Sequence, residues 1–241
     1  EIYNIFGRLT STRSPFRGED LTGTKIRSIA TATSPCKRIA VFSGSGKIAI
    51  TCTSASASSD NYMQQSFPAN AWGKKYLTVP TDKLPNNYFR IAVSNRSANV
   101  RVNGVKQTGL INNFYYQILT SAPSIIESDE PIMVSQYISS ATMAVNNTNQ
   151  TVQSQCNPNL IGGDGDPEMI YLSPIEQTIQ KVTINSTPNA RISMHFLNLV
   201  IHKNGVNSLK IDGASPSSLS TVHPGDNNFV YFQIPLQPGS H

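Results

Sequence analysis

Charge is scarce in this chain. Only 14% of its 241 residues are Asp, Glu, Lys or Arg. The strong helix formers Ala, Leu, Glu and Lys do not dominate; Ser, Thr, Asn, Val and Ile do, a balance that favours strands and turns. No apolar run approaches the roughly 18 residues of a membrane-crossing helix. No window of about ten or more residues carries a helical period. The first residues do not have the pattern of a signal peptide. The net charge is +5 and the pI ≈ 9.1, but the densest basic groups are only Lys37-Arg38 and Lys74-Lys75. Nucleic-acid binders cluster their cations, so the basicity reads as a mildly positive surface, with no nucleic-acid partner expected.

What is present is a succession of short apolar runs. They include KRIAVFS (37–43), KIAITC (47–52), KYLTVP (75–80), FRIAVS (89–94), NVRVNGV (99–105), FYYQILT (114–120), PIMVSQYI (131–138), KVTIN (181–185), FLNLVIH (196–202), LKIDG (209–213) and FVYFQI (229–234). Between them lie Gly44-Ser45-Gly46, Asn103-Gly104, Asn204-Gly205 and Asp212-Gly213. Asn-Gly and Asp-Gly supply the positive φ angles of tight hairpin turns. Short strands at such spacing predict an all-β fold of sandwiches or barrels.

The chain also says one thing twice. DNYMQQSFPANAWGKKY (60–76) slides without a gap onto DPEMIYLSPIEQTIQKV (166–182), 106 positions on, matching Asp60 to Asp166, Met63 to Met169, Pro68 to Pro174 and Lys75 to Lys181. VRVNGV (100–105) corresponds to LKIDGA (209–214), and NNFYYQI (112–118) to NNFVYFQI (227–234). The order is kept and the offset drifts upward, as loop insertions would produce. Each unit is roughly 105–115 residues, the size of one β-sandwich. A partial copy opens the chain: Tyr3-Asn4-Ile5 resembles Tyr116-Gln117-Ile118, and Arg38-Ile39-Ala40-Val41 resembles Pro131-Ile132-Met133-Val134. The expected organisation is tandem β-sandwich modules, jelly-roll or Ig-like. Residues 1–55 would be the C-terminal part of one, 56–150 a second, and 151–241 a third lacking its last strands. The natural protein is expected to continue past both ends.

Three cysteines occur, Cys36, Cys52 and Cys156. If GSG (44–46) is a hairpin turn centred on Gly44, Cys36 and Cys52 face each other within disulfide range. That pairing implies an oxidising compartment; the alternative is two small buried hydrophobes. GSGK (44–47) is not a phosphate loop, because Val41 and Ile48 stand where Gly and Ser or Thr are required. GGDGDPE (162–168) places Asp164, Asp166 and Glu168 in alternation, a donor set that suits Ca²⁺ or else a solvated acidic turn. It lacks the downstream Glu of an EF-hand, and no other cofactor is implied. His195, His202, His223 and His241 have no metal-ligand spacing, and no nucleophile-elbow pattern exists. Trp72 is either a sugar-stacking surface or a packing residue.

LTGTKIRSIATATSPCKRIAVFSGSGKI, DNYMQQSFPANAWGKKYLTVP and GDPEMIYLSPIEQTI resemble the IgGFc-binding protein N-terminal domain family, in the form found in large surface proteins of gliding-type bacteria. WGKKYLTVP and GDPEMIYLSPIEQ are the most specific blocks. The resemblance implies an extracellular, non-enzymatic adhesion or structural module of a larger secreted or cell-surface protein. It implies a protein or glycan ligand, or neighbouring modules of the same protein, with no direct membrane insertion. It carries over no binding residue and does not establish Fc binding. Binding is expected through loops or strand edges. The alternatives are a carbohydrate-binding module and a hydrolase or Ca²⁺-dependent enzyme domain.

Overall fold

The structure is a computed structural model that describes residues 2–12, 17–48, 50, 59–82, 86–139, 167–188, 192 and 194–241. These residues are all-β, joined by three short 3-10 turns, and no helix among them is long and apolar enough to cross a membrane. The N-terminal strands are β1 (Leu9–Ser11), β2 (Arg17–Gly18), β3 (Phe42–Ile48) and β4 (Asp60–Gln65). Then come β5 (Gly73–Thr78), β6 (Asn87–Val93), β7 (Val100–Val102), β8 (Val105–Lys106), β9 (Tyr115–Thr120) and β10 (Ser124–Ile138). The remainder holds β11 (Glu168–Tyr171), β12 (Asn185–Ser186), β13 (His195–His202), β14 (Thr221–Val222), β15 (Phe229–Leu236) and β16 (Gly239–Ser240).

The largest sheet runs β8-β7-β10-β6-β9, with β5 and β11 also paired to β10. A smaller sheet runs β13-β15-β14, and β1-β2, β3-β4 and β12-β16 form two-stranded sheets, all antiparallel. β10 organises the large sheet. Its first half pairs with β5 and β7, its second half with β6 and β11. The register against β5 shifts between Glu127 and Ile132. Pro131 lies in that irregularity and accepts a bond from Ser94 N–H through its carbonyl; an irregular stretch is where a strand tolerates a residue with no N–H to give. The alternating apolar positions fill one core: Tyr76, Phe89, Ile91, Val93, Val100, Tyr116, Ile126, Ile132 and Val134 are buried together. Each such side chain contributes about 1.5–3 kcal/mol on leaving water. Burial pushes the Tyr76 phenol up to about 12, and its hydroxyl donates to the Ile132 carbonyl at 2.7 Å.

Two expected turns are different in the structure. Gly44-Ser45-Gly46 is not a hairpin turn: Phe42–Ile48 runs through it as one strand and pairs with β4, Gly44 opposite Met63. The glycine serves a close approach, since a Cβ there would collide with the Tyr62 carbonyl. Asn204-Gly205 lies inside the 3-10 turn Lys203–Ser208 and takes no positive φ. Asn103-Gly104 and Asp212-Gly213 do turn as read, with φ of 50° and 80° in the first and 52° and 81° in the second.

The two halves of the matched segments follow the same local course. Pro68 (φ −65°, ψ 152°) opens the 3-10 turn Ala69–Ala71, and Pro174 (φ −70°, ψ 161°) opens Ile175–Gln177, 106 positions on. β3 pairs with β4 as β10 pairs with β11: Ser43 faces Gln64 where Gln136 faces Ile170, and Ser66 N–H reaches Val41 O where Leu172 N–H reaches Val134 O. β13 pairs with β15 as β6 pairs with β9: Leu199 faces Phe232 where Ile91 faces Tyr116. β11, which lies just after the start of the second matched block, is bound into the sheet of β10.

Candidate binding surface

β13 lies at the end of its sheet, and among the described residues no strand pairs with its outer edge. The direction of its backbone groups follows from one bond. Lys203 N–H donates to Asn228 O. In an antiparallel ladder, alternate residues point their N–H and C=O to the same side. Residues 197, 199 and 201 therefore bond β15, and Phe196, Asn198 and Val200 turn theirs outward. β6 shows what that outward side can hold. Ser94 N–H, of the same parity, bonds Pro131 O, and β10 occupies the whole edge with Ile132 opposite Val93 and Val134 opposite Ile91.

The missing neighbour has a measurable consequence in burial. Phe89, Ile91 and Val93 are 1%, 0% and 6% exposed. Their counterparts Leu197, Leu199 and Ile201, 108 positions on, pack against the cluster of Val230, Phe232 and Ile234 but stay only half-buried. Just before β13, Ile192 and Met194 are exposed. Open strand edges and uncovered apolar faces are what other chains pair with. At the start of β13 a cleft of about 400 Å³ is lined by Asp82, Met194, His195, Phe196, Pro235 and Leu236. His195 stands where Asn87 stands in the large sheet. Asn87 is fully buried and accepts a bond from Gln136 of β10 at 2.7 Å. Among the described residues His195 has no such neighbour, and its buried Nε2 has no hydrogen-bond partner.

The opposite face of the small sheet is anchored to the large one. Asn198 Nδ2 donates to Pro80 O at 3.1 Å and Gln233 Nε2 to the same carbonyl at 2.9 Å. Lys75 Nζ donates to Asp226 at 2.7 Å, and that hydrogen bond is the main cause holding the Asp226 carboxyl below its usual range. His223 is fully buried; its Nδ1 accepts from Gly225 N–H, so its Nε2 carries the proton toward Thr78 O. Burial pushes its pKa down despite that bond, which keeps the imidazole neutral. The anchoring fixes the small sheet while leaving the β13 edge open.

The most elaborate polar cluster lies on the outer face of the large sheet. The Arg90 guanidinium sits 4.7 Å from the Tyr115 ring centroid and 5.6 Å from that of Tyr137, and pairs with Asp20 at 3.1 Å. Burial raises the Asp20 carboxyl, but bonds from Thr22, the Arg90 charge and the Tyr115 hydroxyl outweigh it and hold the pKa below the usual value. Asp20, Thr22, Arg90 and Tyr115 are bonded to one another, so the cluster is a clasp holding residues 20–22 to β6 and β9.

Of the residues singled out from sequence, Cys36 is exposed and its thiol donates to Ser28 O at 3.7 Å. Cys52, Cys156, Asp164 and Asp166 lie outside the described residues. With Phe42–Ile48 a continuous strand, the hairpin register that brought Cys52 opposite Cys36 is gone. Glu168 opens β11 and accepts from Met169 N–H at 2.8 Å. Among the described residues no three His, Cys, Asp or Glu gather as a metal site. Trp72 is half-buried and donates to Phe67 O at 3.4 Å. Sequence reasoning missed the β13 edge. FLNLVIH has the same apolar alternation as FRIAVS, so nothing in the sequence separates the two strands.

A family model described as IgGFc binding protein matches residues 2–241. No curated protein and no solved structure matches the chain.

Proposed function

The chain belongs to the IgGFc binding protein family, and from that premise we propose that it is an extracellular, non-enzymatic binding module of a larger secreted or surface protein. Its ligand is a protein segment, taken as an added strand along the outer edge of β13. The observation that carries this reading is the contrast between two equivalent strands: β6 has a strand on that edge and a fully buried face, while among the described residues β13 has no strand there and its face is half-buried. Strand addition obtains its affinity from main-chain bonds and its specificity from pockets for alternate side chains. Leu197, Leu199 and Ile201 supply such a row, and the cleft at His195 ends it. The matched segments 60–76 and 166–182, with the same local course in each, support reading the chain as a series of related modules that build reach and avidity.

The test is a titration with a peptide of residues 129–138, DEPIMVSQYI, followed through the amide resonances of β13. The expected result is saturable binding, with the shifts confined to β13 and the His195 cleft. The same peptide with proline at Ser135 loses a backbone group that faces β6 in the intact sheet, and is expected not to bind. Absence of binding, or equal binding by both peptides, contradicts the assignment.

A further inference from the structure

We propose that the β13 edge accepts residues 38–45 of a second copy of this chain, giving head-to-tail assembly. The inference rests on β13 being a binding edge, and it names the occupant from the fold itself. β3 relates to β4 as the second half of β10 relates to β11, with Phe42 facing Gln65 where Ser135 faces Tyr171. β3 is therefore a β10-type strand, 93 positions earlier. Its neighbour on the β11 side is present as β4. On the side where β10 meets β6, no described strand lies beside it.

The two vacant edges complement each other. Ser66 N–H bonds Val41 O, so the odd residues of β3 face β4, and Ala40, Phe42 and Gly44 turn their backbone groups outward. Phe196, Asn198 and Val200 do the same on β13. Transferring the β6–β10 register places Ala40 opposite Val200, Phe42 opposite Asn198 and Gly44 opposite Phe196. In that register Ile39 lies against Ile201 and Val41 against Leu199, where Ile132 meets Val93 and Val134 meets Ile91 in the large sheet. Exposure agrees with the need. Ile132 and Val134 are 0% exposed, while their counterparts Ile39 and Val41 are 52% exposed and half-buried. Ser45 would bring its hydroxyl toward the end of β13 that carries the Nε2 of His195, which has no hydrogen-bond partner among the described residues. The two edges are different surfaces of one molecule, so the contact is heterologous and propagates unless the rotation closes a ring.

Light scattering on the purified chain over a wide concentration range tests this. The expected result is a mass that rises with concentration beyond the monomer's. Phe42→Pro deletes an outward N–H on β3 without touching its bonds to β4, as edge strands permit. That variant is expected to stay monomeric. Because its own β13 remains open, it is also expected to shorten assemblies of the unaltered chain when mixed with them, and amide protection of β4 reports that its β3-β4 pair is intact. A chain that is monomeric at every concentration overturns the proposal, as does assembly that Phe42→Pro leaves unchanged. If the 129–138 peptide binds β13 while the chain stays monomeric, this inference falls and the binding edge stands; if that peptide fails to bind, the edge itself falls.

Discussion

Ile132→Ala is expected to lower the stability of the large sheet by about 2–5 kcal/mol, the range for truncating a fully buried aliphatic side chain. Ile132 is 0% exposed and lies between Val93 on β6 and the Tyr76 hydroxyl, which donates to its carbonyl. Its neighbours are branched or aromatic and held by a seven-stranded sheet, so the cavity cannot collapse. Leu199→Ala removes the same number of carbon atoms from the small sheet. Even so it is expected to cost about half as much or less, because Leu199 is already half in water and loses less transfer energy. Chemical denaturation of the two variants, each followed by a probe in its own sheet, checks the ordering. Equal costs would mean that the β13 face is covered in solution.

Asn87→Leu is the second large effect. Asn87 is 0% exposed at the head of β6. Its carbonyl oxygen accepts from Thr81 N–H at 3.0 Å and from Gln136 Nε2 at 2.7 Å, and its amide donates to the Thr81 hydroxyl at 3.2 Å. Leucine keeps the branched outline, with bulkier ends, and ends all three bonds. Removing one partner from a buried pair costs about 1–3 kcal/mol for each group left to itself. The expected loss is about 2–4 kcal/mol, with Gln136 keeping its bond to Val79 O. Asn87→Asp retains the two acceptor bonds, and thermal denaturation should place it between the parent and Asn87→Leu below the carboxyl's titration range. A leucine variant as stable as the parent would show that water reaches this site.

The strand content and two of the turns were readable because each rests on local chemistry. Val, Ile, Tyr and Phe in short runs fit a pleated half-buried surface, and Asn103-Gly104 and Asp212-Gly213 need positive φ wherever they sit. The reading failed where long-range packing decides. Gly44 looked like a turn residue, but its lack of a Cβ admits the Tyr62 carbonyl. PIMVSQYI (131–138) reads as a run of its own, yet it is the second half of β10, which begins at Ser124 and changes partners around Glu127–Ile132. The open edge of β13 was invisible because FLNLVIH and FRIAVS have the same pattern. Only the presence of β10 beside one and not the other distinguishes them. Asp164, Asp166 and Cys52 lie outside the described residues, and the hairpin turn at Gly44 on which the Cys36–Cys52 pairing depends is not formed.

The most direct measurement is amide hydrogen exchange along β13 in the free chain at a concentration that keeps it monomeric. The N–H groups of Leu197, Leu199 and Ile201 face β15 and should be protected, while those of Phe196, Asn198 and Val200 should exchange freely. In β6, the outward residues Arg90 and Ala92 should be protected by β10. Adding the 129–138 peptide should slow Asn198 and Val200 selectively. If those two are already as protected as Leu199 in the free monomer, a strand of the chain itself covers the edge, and β13 is not a binding surface.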